Sequence, residues 1–191
     1  MFYSISNCQR GLAGVSFGSF LIKQVVAEVC RELPRLSTFV TLSPVPNFAG
    51  WLARQRASAA PTIPEADRTA LAALDGDKWW ENEDVVDDLR EPMLRAAATY
   101  FMAGRTATGA PIDPVARFHL GNGARLERLD WPADLSERGR RQSHGLMVNY
   151  LYDLGDIEKN HEAYAESRAV VAASGIRKLA RPTRDLVQVA G

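Results

Sequence analysis

Two cysteines in 191 residues, Cys8 and Cys30, are too few for a disulfide framework. A reducing, cytoplasmic setting is the expectation. Neither sign of charge is in excess: 23 Lys and Arg balance 23 Asp and Glu for a formal net charge of +0, so bulk charge suggests no nucleic-acid or anionic-membrane partner. Apolar stretches are too short or too interrupted to span a bilayer, and no signal peptide precedes the first of them. Only three histidines are present. What remains, 46% hydrophobic and 24% charged residues, describes a globular chain long enough for one core and one domain.

The organising stretch is Phe2 to Val29, FYSISNCQRGLAGVSFGSFLIKQVVAEV. An apolar strand, Phe2 to Ile5, enters a loop with Gly11 and Gly14. The loop opens an amphipathic helix from near Val15 to just before Pro34. At such a junction the first helical N–H groups lack partners and the helix dipole is positive, so a phosphate can supply the missing acceptors. No Gly-Lys-Ser/Thr follows, which excludes a P-loop, and Gly11-Leu12-Ala13-Gly14 lacks the G-x-G of a dinucleotide fingerprint. A plain strand–turn–helix and a phosphate loop both fit these residues.

Thr38 to Leu42, β-branched and aromatic, is expected to be a second strand, completing a βαβ unit with parallel strands. Ser43 leaves it within Leu42-Ser43-Pro44-Val45-Pro46-Asn47-Phe48, where two prolines stiffen the exit. The serine either presents its hydroxyl to a ligand crevice or bonds the turn. Residues 50–104 form a helical insertion, with helices over 51–59, 65–74, 78–89 and 91–103 punctuated by Pro61, Pro64, Gly76, Pro92 and Gly104. The acidic run Glu81, Glu83, Asp84, Asp87, Asp88 lacks calcium-loop spacing and reads as a solvated helix face. Trp79 and Trp80 read as packing residues. Asp113-Pro114 signals a capped short helix ended by Gly121 or Gly123. Strands are expected at 124–131 and 145–152, a loop at 134–143 and a last helix at 160–179.

Of the histidines, His144 and His161 read as surface residues. His119, between Phe118 and Leu120 on the short helix, is a core histidine or a working one. Ser43 and His119 make a candidate dyad, with Asp113 and Asp130 as possible orienting acids. No metal-ligand spacing is present.

FYSISNCQRGLAGVSFGSFLIKQVV, FVTLSPVPNF, DPVARFHLGNGARLERLDWPADLSERG and GLMVNYLYDL, in this order, resemble the carboxyl-terminal catalytic part of malonyl-CoA decarboxylase. The resemblance implies an α/β, GNAT-like acyl-CoA-binding fold, partial because the first strands are lacking, and it implies that an amino-terminal helical domain is missing. Residues 1–180 would be the catalytic domain fragment and 181–191 a tail. It implies malonyl-CoA as substrate and acetyl-CoA as product, no metal or organic cofactor, and a homo-oligomer when full length. Ser43 and His119 would be the catalytic pair, with Ala13, Gly14, Val15, Ser16, Phe17, Gly18 and Ser19 binding the CoA pyrophosphate and Tyr150 joining the pair at the malonyl group, which Tyr152 is expected to help position as well. DPVARFHL stands where GNAT acetyltransferases carry an Asn-x-x-Ala helix, with Asp113 in place of the Asn. On the same fold an acyl-CoA-dependent N-acyltransferase is the alternative, and a non-catalytic acyl-CoA-binding module a third reading.

Overall fold

The computed structural model describes residues 17–180. The expected first strand, the glycine loop at 11–14 and the tail at 181–191 lie outside the described residues. α1 is described over Phe17–Glu32 and has no acidic residue there in its first turn; its expected start near Val15 lies outside the described residues. After it, β1 (Phe39–Pro44) is longer than expected and contains Ser43 and Pro44.

A three-stranded sheet has the order β1-β3-β2, where β2 is Arg125–Asp130 and β3 is Met147–Tyr152. Both pairings are antiparallel. The parallel partner expected for β1 falls in the segment outside the described residues. On β3, alternation puts Val148, Tyr150 and Tyr152 inside. The register sets Ser43 opposite Val148, Thr41 opposite Tyr150 and Phe39 opposite Tyr152, so all six share the inner face. The open edge of β2 is covered by main chain: Leu126 N donates to Val171 O at 2.9 Å and Ala173 N to Leu126 O at 2.8 Å.

Helices cover that inner face. α2 (Phe48–Ala57), α3 (Glu65–Ala70) with a 3₁₀ turn to Asp75, and α4 (Glu83–Ala103) supply most of the core. α4 overturns the break expected at Pro92. The proline forfeits one intrahelical bond, but burial of Leu89, Met93, Ala96, Ala97 and Tyr100 on both sides of it keeps the helix continuous. Asp67 and Arg95, bonded through Nε and Nη2, hold α3 to α4. The acidic residues of α4's first turns are exposed, and Trp79 stacks on Trp131 at 5.6 Å.

α5 (Pro114–Gly121) matches the predicted capped helix: the Asp113 carboxylate accepts from Ala116 N at 2.7 Å. Two expectations downstream fail. The polar stretch at 134–143 is not all loop but carries α6 (Glu137–Ser143), capped by Ser136, whose hydroxyl accepts from Gly139 N. It has no apolar stripe to read, because it packs through Gly139, where a Cβ would lie 2.3 Å from Asp134 O. The last helix is two, α7 (Ile157–Ser167) and α8 (Ser174–Leu179), broken by Arg168 at φ 56° and by the segment that runs beside Leu126.

Candidate active site

Thr41 and Ser43, two residues apart on β1, point to the same side, and their hydroxyl oxygens lie 3.1 Å apart. α5 runs across that face. Its third turn is anchored because Asn122, Gly123 and Ala124 return their N–H groups to carbonyls of residues 118–120. This brings His119 to the sheet: Nε2 is 3.2 Å from Ser43 Oγ and Nδ1 is 2.8 Å from Tyr152 Oη. Serine and histidine, 76 positions apart in the chain, are each only 5% exposed. The imidazole lies nearly flat on the ring of Tyr150, with centroids 4.3 Å apart and planes 20° from parallel.

Burial dominates the electrostatics. It pulls the His119 pKa from 6.5 to about 4, so the ring is neutral near pH 7. It pushes the phenols of Tyr150 and Tyr152 up and keeps them protonated. Asp113, the N-cap of α5, accepts a hydrogen bond from Tyr100 Oη at 3.1 Å, and burial raises the pKa of its carboxyl.

A stability test follows. Between pH 6.5 and 4 the unfolded chain binds a proton at His119 that the native state refuses, so stability is lost as pH falls through this window, by about 3 kcal/mol at most. His144, also depressed, acts in the same direction and Asp113 in the opposite one. Both persist in His119→Gln. Denaturant midpoints at pH 4 and 7 should therefore show a shallower pH dependence in His119→Gln than in the parent chain, and identical slopes would refute this account.

The sequence profile of the malonyl-CoA decarboxylase C-terminal domain matches residues 1–190. The chain belongs to the malonyl-CoA decarboxylase family. It is 36% identical over 195 residues to the mitochondrial malonyl-CoA decarboxylase of Anser anser anser, covering 92% of this chain and 38% of that protein. The Mus musculus relative is 37% identical over 199 residues, covering 94% and 40%. Among solved structures, malonyl-CoA decarboxylase from Rhodopseudomonas palustris matches with TM-score 0.88 at 60% identity, over 93% of this chain and 41% of that one. The Agrobacterium vitis enzyme matches with TM-score 0.88 at 53% identity, over 95% and 45%. The chain thus spans about two fifths of the length of these family members.

Of the residues singled out from sequence, the structure brings together Ser43, His119 and Tyr150. Ala13, Gly14, Val15 and Ser16 lie outside the described residues. Phe17, Gly18 and Ser19 form the first turn of α1. Neither proposed acid orients the imidazole: Asp113 caps α5, and Asp130 pairs with Arg128 at 2.6 Å. Tyr152, expected from sequence to help position the malonyl group and not as a partner of the imidazole, bonds Nδ1 instead. The pattern Tyr-x-Tyr on β3 facing Thr-x-Ser on β1 was the available signal, but it required the register. His144 and His161 are not free surface residues. His144 is half-buried, and His161 Nδ1 donates to Gly121 O at 2.7 Å. Among the described residues no three His, Cys, Asp or Glu side chains are placed to hold a metal.

Proposed function

We propose that this chain decarboxylates malonyl-CoA to acetyl-CoA and CO2 through a thioester enolate that the Ser43–His119 pair protonates. The supporting observation is the 3.2 Å contact between Ser43 Oγ and His119 Nε2 in a buried site. In the reaction the bond between the α-carbon and the carboxylate breaks, CO2 departs, and the electron pair spreads onto the thioester oxygen. Backbone N–H groups can stabilise that oxyanion, each by roughly 3 kcal/mol. Ser43 contacts the malonyl group and His119 is the proton donor to the α-carbon; water then restores the proton. The thioester is itself the electron sink, so the step calls for no organic cofactor. Tyr150, fully buried beneath the imidazole, acts on the malonyl group through the ring it supports.

On this reading the stretch Ala13 to Ser19 seats the CoA pyrophosphate, and the lack of acidic residues in the first turn of α1 suits an anion there. The fold is inferred to be GNAT-like, with residues 1–180 as the catalytic unit. N-acyl transfer on the same fold would require a general base beside an amine. Among the described residues the buried carboxylates are both committed, Asp113 to Ala116 and Tyr100 and Asp67 to Arg95.

Incubation with malonyl-CoA, with and without an amine acceptor, tests the proposal. Acetyl-CoA should appear at the same rate in both. Acylated amine would establish the acyltransferase, and tight binding of malonyl-CoA without turnover would establish a binding module.

A further inference from the structure

We propose that Tyr152 is a positioning residue that keeps the proton of His119 on Nε2, making the imidazole a donor toward Ser43 and the substrate and leaving Ser43 unactivated as a nucleophile. The role, though not the geometry, rests on the decarboxylase reading above.

The argument is a count of protons in a closed space. Tyr152 is 2% exposed, and among the described residues its hydroxyl is within hydrogen-bonding distance of His119 Nδ1 only, at 2.8 Å. If Nδ1 carried the ring proton, Nδ1–H would donate to the phenol oxygen and the phenol proton would be buried without an acceptor. An unmade bond of that kind costs about 1–3 kcal/mol. With the proton on Nε2, the three protons of the Tyr152–His119–Ser43 chain all find acceptors: Tyr152 O–H donates to Nδ1, Nε2–H donates to Ser43 Oγ, and Ser43 O–H donates to Thr41 Oγ1 at 3.1 Å. Burial, which raises the phenol pKa, keeps Tyr152 a donor.

The identity of the third residue inverts the chemistry of the pair. In a Ser-His-Asp triad the carboxylate can only accept, so it holds the proton on Nδ1 and leaves Nε2 bare to take the serine proton. Here a phenol donates to Nδ1, and Nε2 arrives already protonated. Such a pair has no base to offer Ser43, so it forms no acyl-serine and spares the thioester. It does present a proton on the substrate side, which is what a carbanion left by CO2 loss requires. The aromatic floor of Tyr150 prevents the ring from flipping out of this arrangement.

Proton–nitrogen correlation spectra of the ¹⁵N-labelled parent chain read the tautomer directly, independent of turnover. Nε2 should be protonated and Nδ1 bare at pH 7; a protonated Nδ1, or averaging between the two, overturns the proposal. Tyr152→Phe keeps the ring and loses the donor. It should populate Nδ1–H and lower kcat about 10- to 100-fold, as loss of a partner holding an imidazole does, with KM unchanged. Ser43 should then gain reactivity toward a fluorophosphonate probe to which the parent is inert. A Tyr152→Phe chain that retains Nε2–H and full kcat also overturns the proposal. A parent chain showing Nε2–H with no acetyl-CoA formed would instead sink the decarboxylase reading and leave the tautomer assignment standing.

Discussion

His119→Ala is expected to lower kcat/KM for malonyl-CoA by about 10²- to 10⁴-fold, the range that a positioned proton donor supplies. The loss should fall on kcat, because the proposed pyrophosphate seat at 13–19 is a separate part of the chain, and CoA affinity should survive. Ser43→Ala is expected to fall in the same range. Since the two side chains are in contact at 3.2 Å, the double variant should be little worse than the poorer single one; residues acting as a unit do not add. His119 also fills space above Tyr150, so His119→Gln belongs beside the alanine variant. It retains bulk and hydrogen bonding without a ring proton to deliver, and it should be equally inactive. Acetyl-CoA formation near the parent rate in either His119 variant would remove the imidazole from the chemistry.

The second large effect concerns the backbone that holds this histidine. Gly123→Ala is expected to cost about 3 kcal/mol or more. Its φ is +79°, which disfavours any side chain. An added Cβ would lie 2.2 Å from Ile157 O, a main-chain atom that cannot swing aside. Gly109 separates the two contributions. At φ +78° it has nothing within 4 Å of an added Cβ, so Gly109→Ala should cost only the conformational strain, about 1 kcal/mol. By melting, Gly123→Ala should drop Tm by roughly 6–12 °C and Gly109→Ala by a few degrees. The clash has a functional reach as well. Gly123 N donates to Leu120 O, Ala124 N to His119 O, and Gly123 O accepts from Asn160 Nδ2. Displacing this turn moves the end of α5, so surviving folded Gly123→Ala protein should also be impaired in turnover. Equal melting temperatures for the two alanine variants would remove the steric account.

The exposed apolar residues Val40 and Leu42 lie on the face of β1 opposite Ser43, 55% and 40% accessible. Among the described residues no strand pairs with the outer edge of β1.

Local sequence determined the parts of this protein that depend on a few neighbouring residues. The cap at Asp113 with Pro114 beside it and the strands expected at 124–131 and 145–152 were legible, because capping and strand propensity act within a turn or a strand. Where a local signal was weak or misleading, packing decided the outcome. Buried neighbours carried α4 through Pro92, and a glycine contact with no hydrophobic pattern seated α6. The site itself belonged to the tertiary structure. Ser43, His119 and Tyr152 come from three segments that meet only when 39–44 pairs antiparallel with 147–152 and α5 lies across them. A slip of one residue in that register would turn Tyr152 away from His119. Sequence alone could nominate an alcohol and an imidazole; it took the pairing of strands more than 100 residues apart to supply a phenol, and not a carboxylate, as their third partner.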